Sequence, residues 1–198
     1  MFAAINDVKV RTVPLKSDFS LDVEAIGKEI ADNGPVKLLF LCSPNNPTGN
    51  SFSLEEIRSV VGLNPGITVV DEAYQEFSSR PSALSLLNDE DHLVVLRTLS
   101  KAWGLAGARI GFLAADPLIV ETVRKVRYPY DMSTPAQQMA VRALQNQAGM
   151  QAAVSAAVRE RDHLAQALAS VPCVRRVYPS DANFLLMEVS DADAVHAY

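Results

Sequence analysis

The chain has 198 residues, 48% of them hydrophobic, and a formal net charge of −5 at pH 7. That length is enough to bury a sizeable core, and the acidic balance offers neither nucleic acid nor an anionic membrane a basic surface. The first ten residues lack the basic stretch and apolar core of a signal peptide, and no apolar run approaches the roughly 20 residues of a membrane span, so the cytoplasm is the expected compartment.

In chain order, Val8 to Leu15 reads as a strand. Leu21 to Asn33 reads as a helix with Val23, Ile26 and Ile30 on one face, stopped at Gly34-Pro35. A strand Leu38 to Cys42 leads into a helix Leu54 to Val61. Then come a strand Ile67 to Val70, a loop through Pro81, a strand Leu93 to Leu96 and a strand Arg109 to Ala114. Such alternation predicts an α/β fold built on a mostly parallel sheet with flanking helices. Pro117 opens a helix reaching Val126, and a further helix runs from Pro135 to Gln147. Between them Tyr128-Pro129-Tyr130-Asp131 breaks the pattern and marks the expected boundary between a large domain, 1–130, and a second unit, 131–198. In that unit Val154, Val158, Arg161, Leu164, Ala165 and Leu168 trace a mainly apolar helical stripe. Val174 to Tyr178 and Asn183 to Val189 read as strands, and Asp191 to Tyr198 as the beginning of a helix.

Three strand ends carry polar groups suited to chemistry. Ser43-Pro44-Asn45-Asn46-Pro47-Thr48-Gly49 follows the first apolar strand as a rigid turn whose asparagine amides can donate to an anionic oxygen. Ile67-Thr68-Val69-Val70-Asp71-Glu72-Ala73-Tyr74 ends in a carboxylate that can pair with a heterocyclic nitrogen, with a phenol three residues later. Arg97-Thr98-Leu99-Ser100-Lys101 follows the apolar run Leu93 to Leu96. It places Lys101 at the carboxyl end of a strand, where open α/β sheets bind ligands. Thr98 and Ser100 supply hydroxyls and Arg109 a forked cation, the groups that hold a phosphate. A lysine amine beside a phosphate site is what pyridoxal phosphate requires.

Together these segments resemble the signature of fold-type I pyridoxal-phosphate enzymes of the class I/II aminotransferase family. The Asn-Asn-Pro-Thr-Gly turn, Val-Asp-Glu-Ala-Tyr and Arg-Thr-Leu-Ser-Lys-Ala are most similar to the histidinol-phosphate aminotransferase branch, as is Pro14-Leu15 before Asp18-Phe19-Ser20-Leu21-Asp22. The resemblance implies the large domain of that fold followed by the start of a small α+β carboxyl-terminal domain. It makes Lys101 the Schiff-base amine and proton carrier, and Asp71 the partner of the pyridine nitrogen. Asn46 and Tyr74 become donors to the phenolic oxygen at C3. Ser100 and Arg109, helped by Thr98, become the phosphate anchor. The implied reaction is transfer of an amino group from L-histidinol phosphate to 2-oxoglutarate, giving imidazole-acetol phosphate and glutamate in histidine biosynthesis, by a homodimer.

An aromatic amino-acid aminotransferase or a phosphothreonine decarboxylase would use the same lysine and aspartate, and a non-catalytic effector-binding or interaction domain is the alternative of another class. Family members have roughly twice this length. They carry a first strand and a glycine-containing phosphate loop before the position of Met1, and a substrate-clamping arginine beyond Tyr198, so the chain is expected to be a fragment with an unpaired sheet edge.

Other polar residues carry blander readings. His92, His163 and His196 are scattered. Gly104, Gly107 and Gly111 lack the dinucleotide-binding spacing and are expected to permit close turns around Lys101. Trp103 is expected to pack beneath a loop. Cys42, ending a strand expected to be buried, and Cys173, after Pro172, have no metal-ligand spacing around them and read as reduced structural residues.

Overall fold

A computed structural model describes residues 5–197. Its centre is a four-stranded sheet of β1 (Leu38–Cys42), β2 (Ile67–Asp71), β3 (Leu93–Thr98) and β4 (Gly111–Ala115), in that spatial order. The first two neighbouring pairs are parallel and the last is antiparallel. Register places Cys42 beside Asp71 and Asp71 beside Leu96, so the carboxyl ends of β1, β2 and β3 lie together.

Helices α1 (Val23–Asn33) and α2 (Leu54–Leu63) cover one face. Both begin as their sequences dictate. Asp22 accepts the Ala25 amide at 2.9 Å, and Ser53 and Glu56 form a reciprocal capping box. Side chains alternate across a strand, so Leu41, Val70, Leu93 and Val95 face this layer and join Ile26, Ile57, Val60, Val61 and Leu86 in the main core. Each such side chain contributes about 1.5–3 kcal/mol by leaving water.

The chain continues through α3 (Pro117–Val126), α4 (Thr134–Gln145) and the long α5 (Gln147–Ala169). It then forms a two-stranded antiparallel sheet of β5 (Val174–Val177) and β6 (Met187–Val189), followed by α6 (Ala192–Ala197). Tyr198, the expected end of that last helix, lies outside the described residues. Ala136 and Ala140 of α4 pack on Leu99 and Ile110, with Trp103 partly buried beside them, so a second cluster forms under the segment that carries Lys101. Among the described residues no helix is long and apolar enough to cross a membrane.

The structure corrects four expectations. Val8 to Leu15 carries no regular element and belongs to no sheet among the described residues. Its alternation defines two side-chain faces without supplying a partner strand. Val13 and Leu15 rest on the core, and Arg11 donates to the Gly34 carbonyl at 2.7 Å. The last strand is only Met187–Val189, because 183–186 runs as a loop. The β1 run is buried on one side only: Leu41 is buried, whereas Phe40 is 62% exposed and Cys42 is exposed. Finally, Arg109 does not begin β4. It caps the turn Ala106–Ala108 in left-handed backbone, φ 54°, and β4 begins two residues later. Gly111 is there because a Cβ would stand 2.8 Å from the Arg97 carbonyl oxygen on β3.

Candidate functional site

The last side chains of β2 and β3 fix the site. Glu72 and Arg97 point to the same side as the main core, so Asp71 and Thr98, one position away on their strands, emerge on the opposite face. There a cavity of about 550 Å³ is lined by Asp71, Thr98, Ser100, Lys101 and Arg109, with Phe112 of β4 at its wall.

The turn after β3 is held from within. Thr98 Oγ1 accepts the Ser100 amide at 3.0 Å and donates to the Ile110 carbonyl at 3.3 Å. The threonine hydroxyl is thereby engaged in shaping the turn, while Ser100 lines the same cavity. Leu99 is buried, which anchors the turn between Thr98 and Ser100 and leaves Lys101 exposed. The Gly104 amide then donates to the Lys101 carbonyl at 3.1 Å, with glycine at φ 67° closing the bend. Arg109 reaches the same cavity from the far side of the loop and also donates to the Ala106 carbonyl at 3.1 Å.

Tyr74 and Asn46 complete the group from the other two strand ends. Asn46 Nδ2 donates to the Tyr74 hydroxyl at 3.1 Å, and Lys101 Nζ lies 5.1 Å from the centre of the Tyr74 ring, within cation–π range. Asp71 is half-buried, its Oδ1 accepting the Ala73 amide at 3.0 Å, which turns the chain after β2 and carries Tyr74 towards Lys101. All seven residues expected from sequence therefore converge at one end of the sheet. An amine able to form an imine, a carboxylate able to face a protonated ring nitrogen, an amide and phenol for a phenolate oxygen, and a hydroxyl with a guanidinium for a phosphate form a donor set that fits pyridoxal phosphate.

Sequence reasoning missed several neighbours. Phe184 packs edge-on against Tyr74 with ring centres 5.1 Å apart. Its loop is docked by Asp181, whose amide donates to the Gly49 carbonyl at 2.7 Å and whose carboxylate accepts the Ser51 amide at 3.2 Å. No local pattern announces a contact made between turns over 100 residues apart. Cys42, next to Asp71 on the neighbouring strand, has its thiol pKa pushed up by desolvation first and by the Asp71 charge second, although the residue as a whole remains exposed. Glu72 and Arg97 form an ion pair under the site, and the one signal for it was a charge at the end of each of two apolar runs.

The geometry has close counterparts among known proteins. The family model for aminotransferase class I and II matches residues 1–197. A histidinol-phosphate aminotransferase of Parabacteroides distasonis is 44% identical over 194 residues, covering 98% of this chain and 56% of that protein. One from Cytophaga hutchinsonii is 40% identical over 196 residues, covering 99% of this chain and 56% of the relative. The crystal structure of histidinol-phosphate aminotransferase from Sinorhizobium meliloti in complex with pyridoxal-5'-phosphate superposes with a TM-score of 0.86 at 27% identity, covering 97% of this chain and 52% of that one. The chain thus spans about half the length of the relatives it matches. With the sheet, the strand-end turns and the sequence all in agreement, the chain belongs to the class I and II aminotransferase family.

Proposed function

We propose that this chain carries the cofactor-binding core of a pyridoxal-phosphate-dependent aminotransferase that moves an amino group from L-histidinol phosphate to 2-oxoglutarate. The observation that carries the reading is the meeting of Lys101, Asp71, Tyr74 and Asn46 at one sheet end, with Ser100 and Arg109 on the same cavity. The choice of substrate is supported by the 44% identity to a histidinol-phosphate aminotransferase over 98% of this chain.

Pyridoxal phosphate, when bound, supplies an electron sink for the electron pair left by a departing Cα proton. The chain's own residues do the rest. Lys101 Nζ would hold the cofactor's carbonyl carbon and would take up the proton that leaves the substrate Cα. The Asp71 carboxylate stabilises a protonated ring nitrogen by charge, which strengthens the sink. Asn46 and Tyr74 hydrogen-bond the ring's phenolic oxygen and so fix the ring's orientation. Ser100 and Arg109 bind the phosphate, the guanidinium by its paired N–H groups. A binding-only module has no need of an exposed amine placed against a carboxylate and a phenol, and this favours chemistry over passive recognition. The domain division near residue 130, a homodimeric parent and a cytoplasmic location belong to the same proposal.

The direct test is to incubate the chain with pyridoxal phosphate, reduce with borohydride, and map the label by peptide mass spectrometry. Stoichiometric label at Lys101, lost in Lys101→Ala, is expected. A folded chain without that label would overturn the site assignment. A panel of amino donors offered to the full-length protein then tests the substrate: turnover of an aromatic amino acid in preference to L-histidinol phosphate would overturn the choice made here.

A further inference from the structure

Beneath the site, on the core side of the sheet, Arg97 is held by three groups. Its Nε donates to Glu72 Oε2 at 2.8 Å, its Nη1 to Glu76 Oε1 at 3.1 Å and its Nη2 to Ser82 Oγ at 3.0 Å. Glu72 is 2% exposed and is itself saturated: Ser82 Oγ donates to it at 2.7 Å and the Ala83 amide at 2.6 Å. The partners are not scattered. Glu72 adjoins Asp71, Glu76 lies in the turn that follows Tyr74, and Arg97 precedes Thr98 on the strand that ends at the Lys101 turn.

We propose that Arg97 is a positioning residue: with Glu72, Glu76 and Ser82 it forms a largely buried clasp that sets the relative placement of Asp71, Tyr74 and Lys101. The clasp stands where the backbone ladder runs out. Register between β2 and β3 ends at Asp71 beside Leu96, and the Glu72 amide donates to the Leu96 carbonyl at 3.0 Å as the chains begin to part. Beyond that rung nothing in the ladder sets how far the Asp71–Tyr74 turn stands from the Ser100–Lys101 turn. A buried ion pair is a weak source of net stability, because desolvation offsets the attraction, but its directional bonds hold one geometry. Arginine suits this use better than lysine, since its planar fork fixes the direction of each N–H, whereas the three ammonium donors of lysine turn freely on a flexible stem. The inference rests on the proposed function for what the three side chains do, and on the contacts alone for how they are held.

The test compares the unsubstituted full chain with Arg97→Lys, which keeps the charge and loses the fork, and Glu72→Gln, which keeps an acceptor for the Ala83 amide and can donate to Ser82 Oγ but takes away the acceptor of Arg97 Nε. Amide hydrogen exchange of the cofactor-free proteins is followed in residues 71–76 and 98–101. The dissociation constant for pyridoxal phosphate and the pH midpoint of the bound cofactor's absorbance are then measured. Both segments are expected to exchange faster together by about tenfold, while α1 and α2 keep their protection, and cofactor affinity is expected to fall by about tenfold with a displaced pH midpoint. Unchanged exchange in these segments would overturn the clasp. So would faster exchange with unaltered affinity and midpoint, the behaviour of a latch that only stabilises the fold. If the unsubstituted chain takes no cofactor at Lys101, the functional reading falls by itself, and the coupled exchange of the two segments still upholds or overturns the clasp.

Discussion

Asn46 Nδ2 donates to the Tyr74 hydroxyl at 3.1 Å, tying the turn after β1 to the turn after β2 across 28 positions of chain. The phenol is thereby oriented before any ligand arrives, while its ring is fixed by Phe184 at one side and Lys101 at another. Tyr74→Phe keeps the ring and removes the hydroxyl. A hydrogen bond to a charged acceptor such as a phenolate is worth about 1.5–3 kcal/mol net, so cofactor binding should weaken by about tenfold or more with the fold unchanged. Fluorescence titration with pyridoxal phosphate measures this, and equal affinities would remove the Tyr74 hydroxyl from the cofactor's partners.

The one-sided burial of the sheet can be tested at two leucines of similar sequence setting. Leu93 is fully buried in the main core, whereas Leu38 is 52% exposed. Leu93→Ala should cost about 2–5 kcal/mol, because it removes apolar contact and leaves a cavity the neighbours only partly fill. Leu38→Ala should stay within about 0.5 kcal/mol, as expected for a side chain that touches water. Urea unfolding of the two variants decides this, and similar losses would mean that both faces of β1 are covered in solution.

The same asymmetry explains what the sequence could and could not convey. The elements from Val23 to Val126 and their order were readable because each is a short apolar run or amphipathic stripe bounded by Pro, Gly or a capping side chain. The site was readable because strand ends in a parallel sheet converge, so Asn46, Asp71 and Lys101 had to be neighbours once their strands were recognised. Failures came where a contact partner decides the outcome. Val8 to Leu15 has strand periodicity but, among the described residues, no strand beside it. Phe40 is as apolar as Leu41, yet only the latter meets α1 and α2. Glu72 and Arg97 each showed as a charge at the end of an apolar run, but not as a pair, because neither position says that β2 and β3 end in register.

Gly49 tests the seam between the turn after β1 and the loop before β6. Its φ is 81°, and a Cβ there would stand 2.7 Å from Ser180 Oγ. Left-handed backbone costs an L residue about 1–2 kcal/mol, and the side chain of Ser180 must also move aside. Gly49→Ala should therefore lower stability by at least that amount and loosen the Asp181 amide from the Gly49 carbonyl. A lowered urea midpoint with faster exchange at Asp181 is expected, and an unaltered midpoint would contradict the close docking of this loop.

Cys42 offers a chemical probe of the Asp71 charge that needs no cofactor. Its thiol pKa is raised, mainly by desolvation and further by the carboxylate of Asp71 on the adjacent strand. A raised pKa means less thiolate at any given pH, and thiolate is the reactive form. In a Cys173→Ser background, alkylation of Cys42 by iodoacetamide should be slower than that of free cysteine near pH 8 and should accelerate as the pH rises further. Asp71→Asn removes the second cause and leaves the first. The pKa should then fall part of the way, so alkylation at fixed pH should speed up while its midpoint stays above the free thiol's. A rate indifferent to Asp71→Asn would place the carboxylate too far from Cys42 to act on it, and with it the close pairing of the β1 and β2 ends on which the site depends.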